Sequence, residues 1–287
     1  MNDSHARDPS KAHSQKALME RYGLRPKRHF GQNFLNDSAI LSKLSQHIAE
    51  GAASTVEIGA GLGALTRPLL EHGLKVTAIE RDRDLIPVLH REFESEVNSA
   101  QLTLLEADAK TADYPALLAA LPAPRVLAGN LPYQLTGPLL RLVPHLAPLL
   151  ARAVFLVQLE VADRLAAQAG SREYGALSVF TQAAFTVRRA FVVRSGAFLP
   201  QPQVDSAVVL LTPLEQPVSR ETPAFVALIH AAFQQRRKTL RNAWRGVRDL
   251  SADELSQHAQ SAGIDLGARG ETLTVEQFAR MAQAISL

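Results

Sequence analysis

Apolar and polar positions along this chain follow two rhythms. Between Ala39 and Ile48, apolar residues recur at Ile40, Leu41, Leu44 and Ile48, the stripe of an amphipathic helix, with Asn36, Asp37 and Ser38 as cap candidates. From Thr55 onward, short apolar runs alternate with helical stretches. Strands are predicted over Thr55–Ile58, Lys75–Ile79, Leu102–Glu106, Arg125–Ala128 and Val154–Gln158, and helices over Ala64–His72, Asp84–Glu94, Pro138–Leu149 and Glu160–Ala169. Strand and helix alternating at this spacing predict an α/β fold, a doubly wound, mostly parallel sheet covered on both faces. Phe185–Arg194 and Ser206–Leu211 read as a closing antiparallel edge hairpin. Beyond Pro213 the pattern is a linker over 214–222 and then helical, at Ala224–Phe233, Lys238–Trp244, Ala252–Ala262 and Val275–Ile285. The predicted organisation is a flexible basic tail over 1–20, an α/β domain over 21–213 and a small all-helical C-terminal domain over 223–287.

Composition narrows the class. Among 287 residues, 46% are hydrophobic and 21% charged, the balance of a folded soluble protein rather than a disordered one. Leu139–Val157 is the longest apolar-looking run, but Arg141, Pro144, His145, Pro148 and Arg152 interrupt it, short of the about 20 apolar residues that a spanning helix needs. The first residues are basic without an apolar stretch, so no secretory signal is expected and a cytoplasmic location follows. With no cysteine, disulfides, thiolate metal sites and cysteine nucleophiles are excluded. The 9 histidines show no ligand spacing, so no metal site is assigned. Charge changes the picture further. The net charge is +3, yet residues 1–28 carry +4 and residues 236–248 carry +6, leaving about −7 on the remainder. Two basic segments on a mildly acidic body are the footprint of a polyanion partner.

Five places carry candidate chemistry. Val56-Glu57-Ile58-Gly59-Ala60-Gly61-Leu62-Gly63-Ala64 ends the first strand of the α/β series in a glycine turn, where backbone amides can approach a ligand at the carboxyl end of the sheet. Glu80 closes the next strand, placed to accept from ribose hydroxyls, so a nucleoside cofactor is implied. Gly59, Gly61 and Ala64 also satisfy a dinucleotide fingerprint, which leaves a nicotinamide cofactor open. Glu57 favours S-adenosylmethionine, because it sets an acid beside a sulfonium rather than a pyrophosphate. Asp108, after the third strand, is either an acceptor for a cofactor adenine amine or an ordinary helix cap. Asn130-Leu131-Pro132-Tyr133 follows the fourth strand at the same sheet edge. An amide oxygen, a carbonyl ahead of proline and a stacking ring suit an unpaired base read through its exocyclic amine. Last, Gln234–Asn242 places Arg237 and Arg241 one helical turn apart if that segment is a helix, a face for phosphates.

Five ordered motifs, Gly31-Gln32-Asn33-Phe34-Leu35, the glycine loop, Asn130–Tyr133, Phe198-x-Pro-x-Pro-x-Val-Asp-Ser-Ala-Val-Val and Gln235–Asn242, resemble those of the ribosomal RNA adenine dimethyltransferases, most closely their bacterial small-subunit branch. The resemblance runs from about Tyr22 to the C-terminal helices. It implies a Rossmann-like S-adenosylmethionine-dependent methyltransferase sheet. It also implies that Asn33 and Leu35 line the cofactor pocket, that Gly59 approaches the methionine part with Gly61 in the same cofactor-binding loop, and that Glu80 holds the ribose and Asp108 the adenine. Asn130 would lie where cofactor meets target, beside Pro132, with Tyr133 and Phe198 sandwiching the target adenine. Arg25, Lys27 and Arg28, together with Arg236, Arg237, Lys238 and Arg241, would face RNA. The implied reaction is N6,N6-dimethylation of two adjacent adenosines near the 3′ end of small-subunit (16S) ribosomal RNA, on the assembling 30S subunit, and nothing in the sequence demands more than a monomer. Gln134 and Leu159 depart from the family pattern, where Asn and Lys are more usual. Three rivals stand beside this reading: a large-subunit methyltransferase of the same family, a nicotinamide oxidoreductase, and a non-catalytic RNA-binding assembly factor.

Overall fold

The structure, a computed structural model, describes residues 14–27 and 30–286. Residues 1–13 of the expected tail and Arg28 lie outside the described residues. In chain order the elements are α1 (Gln15–Tyr22), β1 (Phe34–Leu35), α2 (Ser38–Ala49), β2 (Ser54–Ile58), α3 (Thr66–Glu71), β3 (Lys75–Glu80), α4 (Ile86–Glu92), α5 (Glu94–Asn98), β4 (Leu102–Glu106) and α6 (Tyr114–Ala119). There follow β5 (Arg125–Asn130), α7 (Tyr133–Leu146), β6 (Arg152–Gln158), α8 (Leu159–Ala166), α9 (Ala176–Gln182), β7 (Phe185–Val193), β8 (Phe198–Leu199) and β9 (Ser206–Pro213). The last four are α10 (Pro223–Gln234), α11 (Leu240–Ala243), α12 (Ala252–Ser261) and α13 (Val275–Ala284). No described helix is long and apolar enough to cross a membrane.

Seven strands form one sheet in the order β4-β3-β2-β5-β6-β9-β7, parallel from β4 through β6 with an antiparallel edge, and β1 pairs with β8 in a separate ribbon. The chain runs outward from β2 through β3 to β4 and then returns to β5 on the other side of β2. That reversal is a topological switch, and its carboxyl edge is where open α/β sheets bind ligands. All residues of β2 are buried, as a parallel strand covered on both faces requires. Gly129 explains how tightly β5 meets β2: a Cβ there would lie 2.5 Å from the Ile58 carbonyl oxygen. Asp37 proves to be the cap of α2, its Oδ1 accepting from the Ile40 amide at 3.0 Å.

The chain divides into two compact units. The first holds the chain through Leu139 with Pro148–Leu159 and Ala190–Leu210, around a core that includes Leu44, Ile48, Val76, Val126 and Leu156. The second gathers Leu140–Ala147, Glu160–Arg189 and Leu211–Leu287. Its core joins Tyr174 and Phe180 to Phe225, Trp244 and Phe278, and the buried indole donates to the Leu228 carbonyl at 2.9 Å. Arg141 in this unit binds Glu221 through two 2.9 Å contacts and lies 3.6 Å from the Phe180 ring centre.

Three expectations change. Gln15–Tyr22, placed in a flexible tail at its start, is a helix with Leu18 and Met19 buried. The helical domain is not confined to 223–287, because α9 and the segment around Tyr174 supply part of the same apolar core. The predicted helix over Lys238–Trp244 shrinks to α11, since the Leu240 and Arg241 amides donate to the carbonyls of Ala268 and Leu266, and Thr239 bridges to Arg269. Arg237 therefore sits in a turn, and the helical-face argument for Arg237 and Arg241 fails.

Candidate active site

One cavity opens at the switch point, lined by the 30–35 segment, the glycine loop, Glu80 and the turn after β5. Gly59, with φ +77°, turns the chain out of β2 in a conformation that a side chain would strain. The nearest atom to a Cβ on Gly59 would be the Asn130 carbonyl oxygen at 3.9 Å, so the missing side chain leaves open room for a ligand beside the backbone. The Gly61 amide donates to Glu80 Oε2 at 2.8 Å, and the Arg81 and Asp82 amides both donate to Oε1 at 2.8 Å. Burial raises the Glu80 carboxyl, and those three amides partly offset it. The acid is thus fixed in place by backbone donors at the end of β3.

Glu57, inside β2, is fully buried and lines the same cavity. Its Oε2 accepts from the Thr66 hydroxyl at 2.6 Å, and burial above all pushes its pKa up to about 8. A neighbouring cation would favour its ionised form.

The turn after β5 is held from the other side. Asn130 Nδ2 donates to the Asn33 carbonyl at 3.0 Å, and no described residue donates to its Oδ1, which leaves an acceptor on a cavity-lining side chain. The Pro132 carbonyl accepts the Leu135 amide at 2.8 Å and starts α7, so Tyr133 stands at the head of that helix rather than before it. The Tyr133 hydroxyl lies 3.4 Å from the Ser206 hydroxyl, and burial raises its pKa.

The cavity brings together Asn33, Leu35, Gly59, Gly61, Glu80, Asn130, Pro132 and Tyr133. It leaves two expected residues out. Asp108 lines a neighbouring hollow that shares Phe30, Arg81 and Ala107 with the main one, and its carboxylate lies 3.2 Å from Arg81 and caps the Lys110 amide at 3.0 Å. Phe198, paired with Leu35, is 5% exposed and packs in the core.

The basic residues separate similarly. Arg25, Arg237, Lys238 and Arg241 are exposed. Lys27 does not present a free ammonium: it binds Asp82 at 2.5 Å and Asp84 at 2.6 Å, and these two hydrogen bonds raise its pKa. Arg236 is spent on the carbonyls of Arg172 and Tyr174 and on Glu271. In both cases neighbouring acceptors outcompete solvent for a cation expected to face outward.

Sequence reasoning missed Asp82, Thr66 and Gln15. Asp82 is 2% exposed, and its Oδ2 accepts from Gln32 at 2.8 Å. Burial would raise its carboxyl, but the hydrogen bonds from Lys27, Gln32 and the Asp84 amide hold it below the usual range. Only for Gln15 was a signal present, a polar residue in register with the buried Leu18 and Met19 on one helix face.

The sheet order and this cavity define a Rossmann-like methyltransferase of the S-adenosylmethionine-dependent class. Its fold is that of a dimethyladenosine transferase from Plasmodium falciparum (TM-score 0.73, 24% identity, covering 86% of this chain and 95% of that one). It is also similar to the 23S rRNA methyltransferase ErmE (TM-score 0.64, 25% identity, 89% and 100% covered). Residues 23–287 match the family described as Ribosomal RNA adenine dimethylase, and the chain belongs to that family. Among its relatives are proteins named Ribosomal RNA small subunit methyltransferase A from Anaeromyxobacter sp. (strain K), 43% identical over 283 residues covering 95% of this chain and 98% of the relative, and from Magnetococcus marinus, 42% identical over 271 residues covering 93% and 94%. Family membership removes the nicotinamide alternative that the glycine spacing had left open.

The residues present fit S-adenosylmethionine. The open space at Gly59, the backbone-fixed Glu80 and the buried Glu57 offer room, a hydroxyl acceptor and an acid suited to a cation.

Proposed function

We propose that this chain dimethylates N6 of two adjacent adenosines near the 3′ end of small-subunit ribosomal RNA, with S-adenosylmethionine as methyl donor, as a monomer on the assembling 30S subunit. The observation that carries the chemistry is the fixed amide of Asn130: its Nδ2 is occupied by the Asn33 carbonyl at 3.0 Å, and its Oδ1 is left as an acceptor. Adenine N6 is a weak nucleophile, because its lone pair is delocalised into the ring. For the first methyl, Asn130 Oδ1 and the Leu131 carbonyl would each hold an amine hydrogen, and for the second the one remaining N–H would be held by one of the two, so that each time the nitrogen pyramidalises and its lone pair is localised and aimed. Tyr133 stacks on the base, and Phe198 would have to leave the core to complete a sandwich. Bound S-adenosylmethionine supplies an electrophilic methyl on a cationic sulfur. Glu80 would hold its ribose, Gly59 and Gly61 would meet its methionine part, and Asn33 and Leu35 would wall it. Asp108 would take the adenine amine on leaving Arg81. As the new C–N bond forms, the bond from the methyl to sulfur would break with its electron pair passing to sulfur, which is left as a neutral thioether, while N6 would gain positive charge and shed a proton to solvent, so no strong base is required. Of the cations that the resemblance places against RNA, Arg25, Arg237, Lys238 and Arg241 are exposed and would be available to its phosphates.

Relatives 42–43% identical and named for the small subunit support that target over the large-subunit one suggested by ErmE at 25%. The deciding measurement is nucleoside mass spectrometry after incubation with S-adenosylmethionine and under-methylated small or large subunits. Dimethyladenosine in small-subunit RNA alone is the expected result. Product in large-subunit RNA alone overturns the target, and binding without product in either overturns catalysis and leaves an assembly factor.

A further inference from the structure

Gln15 is 2% exposed, yet it lines the cofactor cavity, and its Oε1 is buried with no hydrogen-bond partner among the described residues. A buried amide oxygen left unpaired is costly, and of the four such side-chain oxygens among the described residues only that of Gln15 belongs to a residue lining this cavity, where a bound ligand could satisfy it. The side chain is not there by accident of a loose terminus. The Gln15 backbone N–H donates to Asn36 Oδ1 at 3.1 Å, which ties the first turn of α1 to the residue after β1. One turn on, Leu18 and Met19 pack in one cluster with Phe34 and Leu62. Phe34 in turn lies against the glycine loop, its ring 3.1 Å from where a Cβ on Gly61 would stand. Gln15 therefore enters the cavity from the flank of the glycine loop, away from the hollow that holds Asp108.

We infer that Gln15 contacts the α-amino acid end of the cofactor, an inference that rests on the S-adenosylmethionine reading above. Glu80 serves the ribose hydroxyls and Asp108 the adenine amine in that reading, while Asn130 serves the target base. Gly59 and Gly61 offer only backbone to the methionine part, and Glu57 is matched to the sulfonium, so no side chain has yet been assigned to the α-ammonium. A glutamine amide offers an acceptor oxygen and a donor NH2 group side by side, which complements a zwitterion carrying an ammonium and a carboxylate on one carbon. The oxygen that is unpaired in this structure would then accept from the ammonium, a charge-assisted bond stronger than one between neutral groups.

The test is calorimetric titration of the wild-type chain and Gln15→Ala with S-adenosylhomocysteine and with 5′-methylthioadenosine, which shares the nucleoside but lacks the amino acid. The expected result is that Gln15→Ala binds S-adenosylhomocysteine about tenfold more weakly or worse, and 5′-methylthioadenosine within about twofold of wild type. Equal weakening toward both ligands overturns the inference in favour of α1 merely shaping the cavity, and unchanged affinity for both overturns it outright. A wild-type chain that binds neither ligand overturns the cofactor reading itself, and the inference with it, before any variant is compared.

Discussion

Glu57 is a carboxyl that the fold keeps from water, and the consequence can be read in stability. Its ordinary pKa of 4.5 rises to about 8 in the folded chain, chiefly through burial, so the folded state holds the proton more tightly than the unfolded one. The stabilising contribution is complete below pH 4.5 and is lost as pH climbs toward about 8, at roughly 1.4 kcal/mol per pH unit where only the unfolded chain is ionised. Glu57→Gln keeps an oxygen for the Thr66 hydroxyl and removes the titration. Its denaturation midpoint should therefore depend less on pH across that window than the wild type's, and parallel curves would refute the assignment. Asn130 is the second residue whose role is separable. Asn130→Ala removes the acceptor for the target amine, and a loss of about 100-fold or more in methyl transfer is expected, with cofactor affinity largely retained in a parallel titration. Undiminished turnover in that variant would end the argument from amine acceptors.

At the scale of elements, the site is made by the junction of β2 with β5, where the register sets Ile58 opposite Gly129. A methyl group at Gly129 would meet the Ile58 carbonyl oxygen at 2.5 Å, and neither partner is a flexible side chain. Gly129→Ala is expected to cost about 1–3 kcal/mol in chemical denaturation and to lower transfer by displacing Asn130, the next residue. A fully stable, fully active variant would show that the strands can part without disturbing the site. The strands of this junction were legible in the sequence because buried parallel strands are short unbroken apolar runs, and the glycine turn and Asn130–Tyr133 were legible because they follow such runs. Short helices such as Tyr114–Ala119 and Ala176–Gln182 escaped notice, since six or seven residues give too little period to detect. Lys238–Trp244 was overread because a helical rhythm of basic residues does not reveal that the carbonyls of Leu266 and Ala268 capture the backbone donors. Asp82 was invisible for the same kind of reason: its meaning depends on Lys27 and Gln32, which only the folded chain brings near.

Over the whole molecule, a net charge of +3 says little, but the distribution of partners says which cations remain for RNA. Lys27 and Arg236 come from the two basic segments, yet both are engaged within the chain. Arg237, Lys238 and Arg241 lie exposed around the turn ahead of α11 and in its first residues. Affinity for RNA falls with salt in proportion to the phosphates neutralised, so cations that touch phosphate and cations that serve the fold differ in a measurable slope. Replacing Arg237, Lys238 and Arg241 together with alanine should weaken binding to small-subunit RNA and reduce the slope of log affinity against log salt by about 2–3, with the melting temperature little changed. Lys27→Ala should do the reverse. It strips a cation from the buried carboxylate of Asp82, costing about 1–3 kcal/mol of stability, while the salt slope stays as in the wild type. Filter binding across a salt series, run beside thermal melts, separates the two behaviours. Should Lys27→Ala flatten the slope and the triple variant leave it unchanged, the division of the basic residues drawn from their partners would have to be inverted.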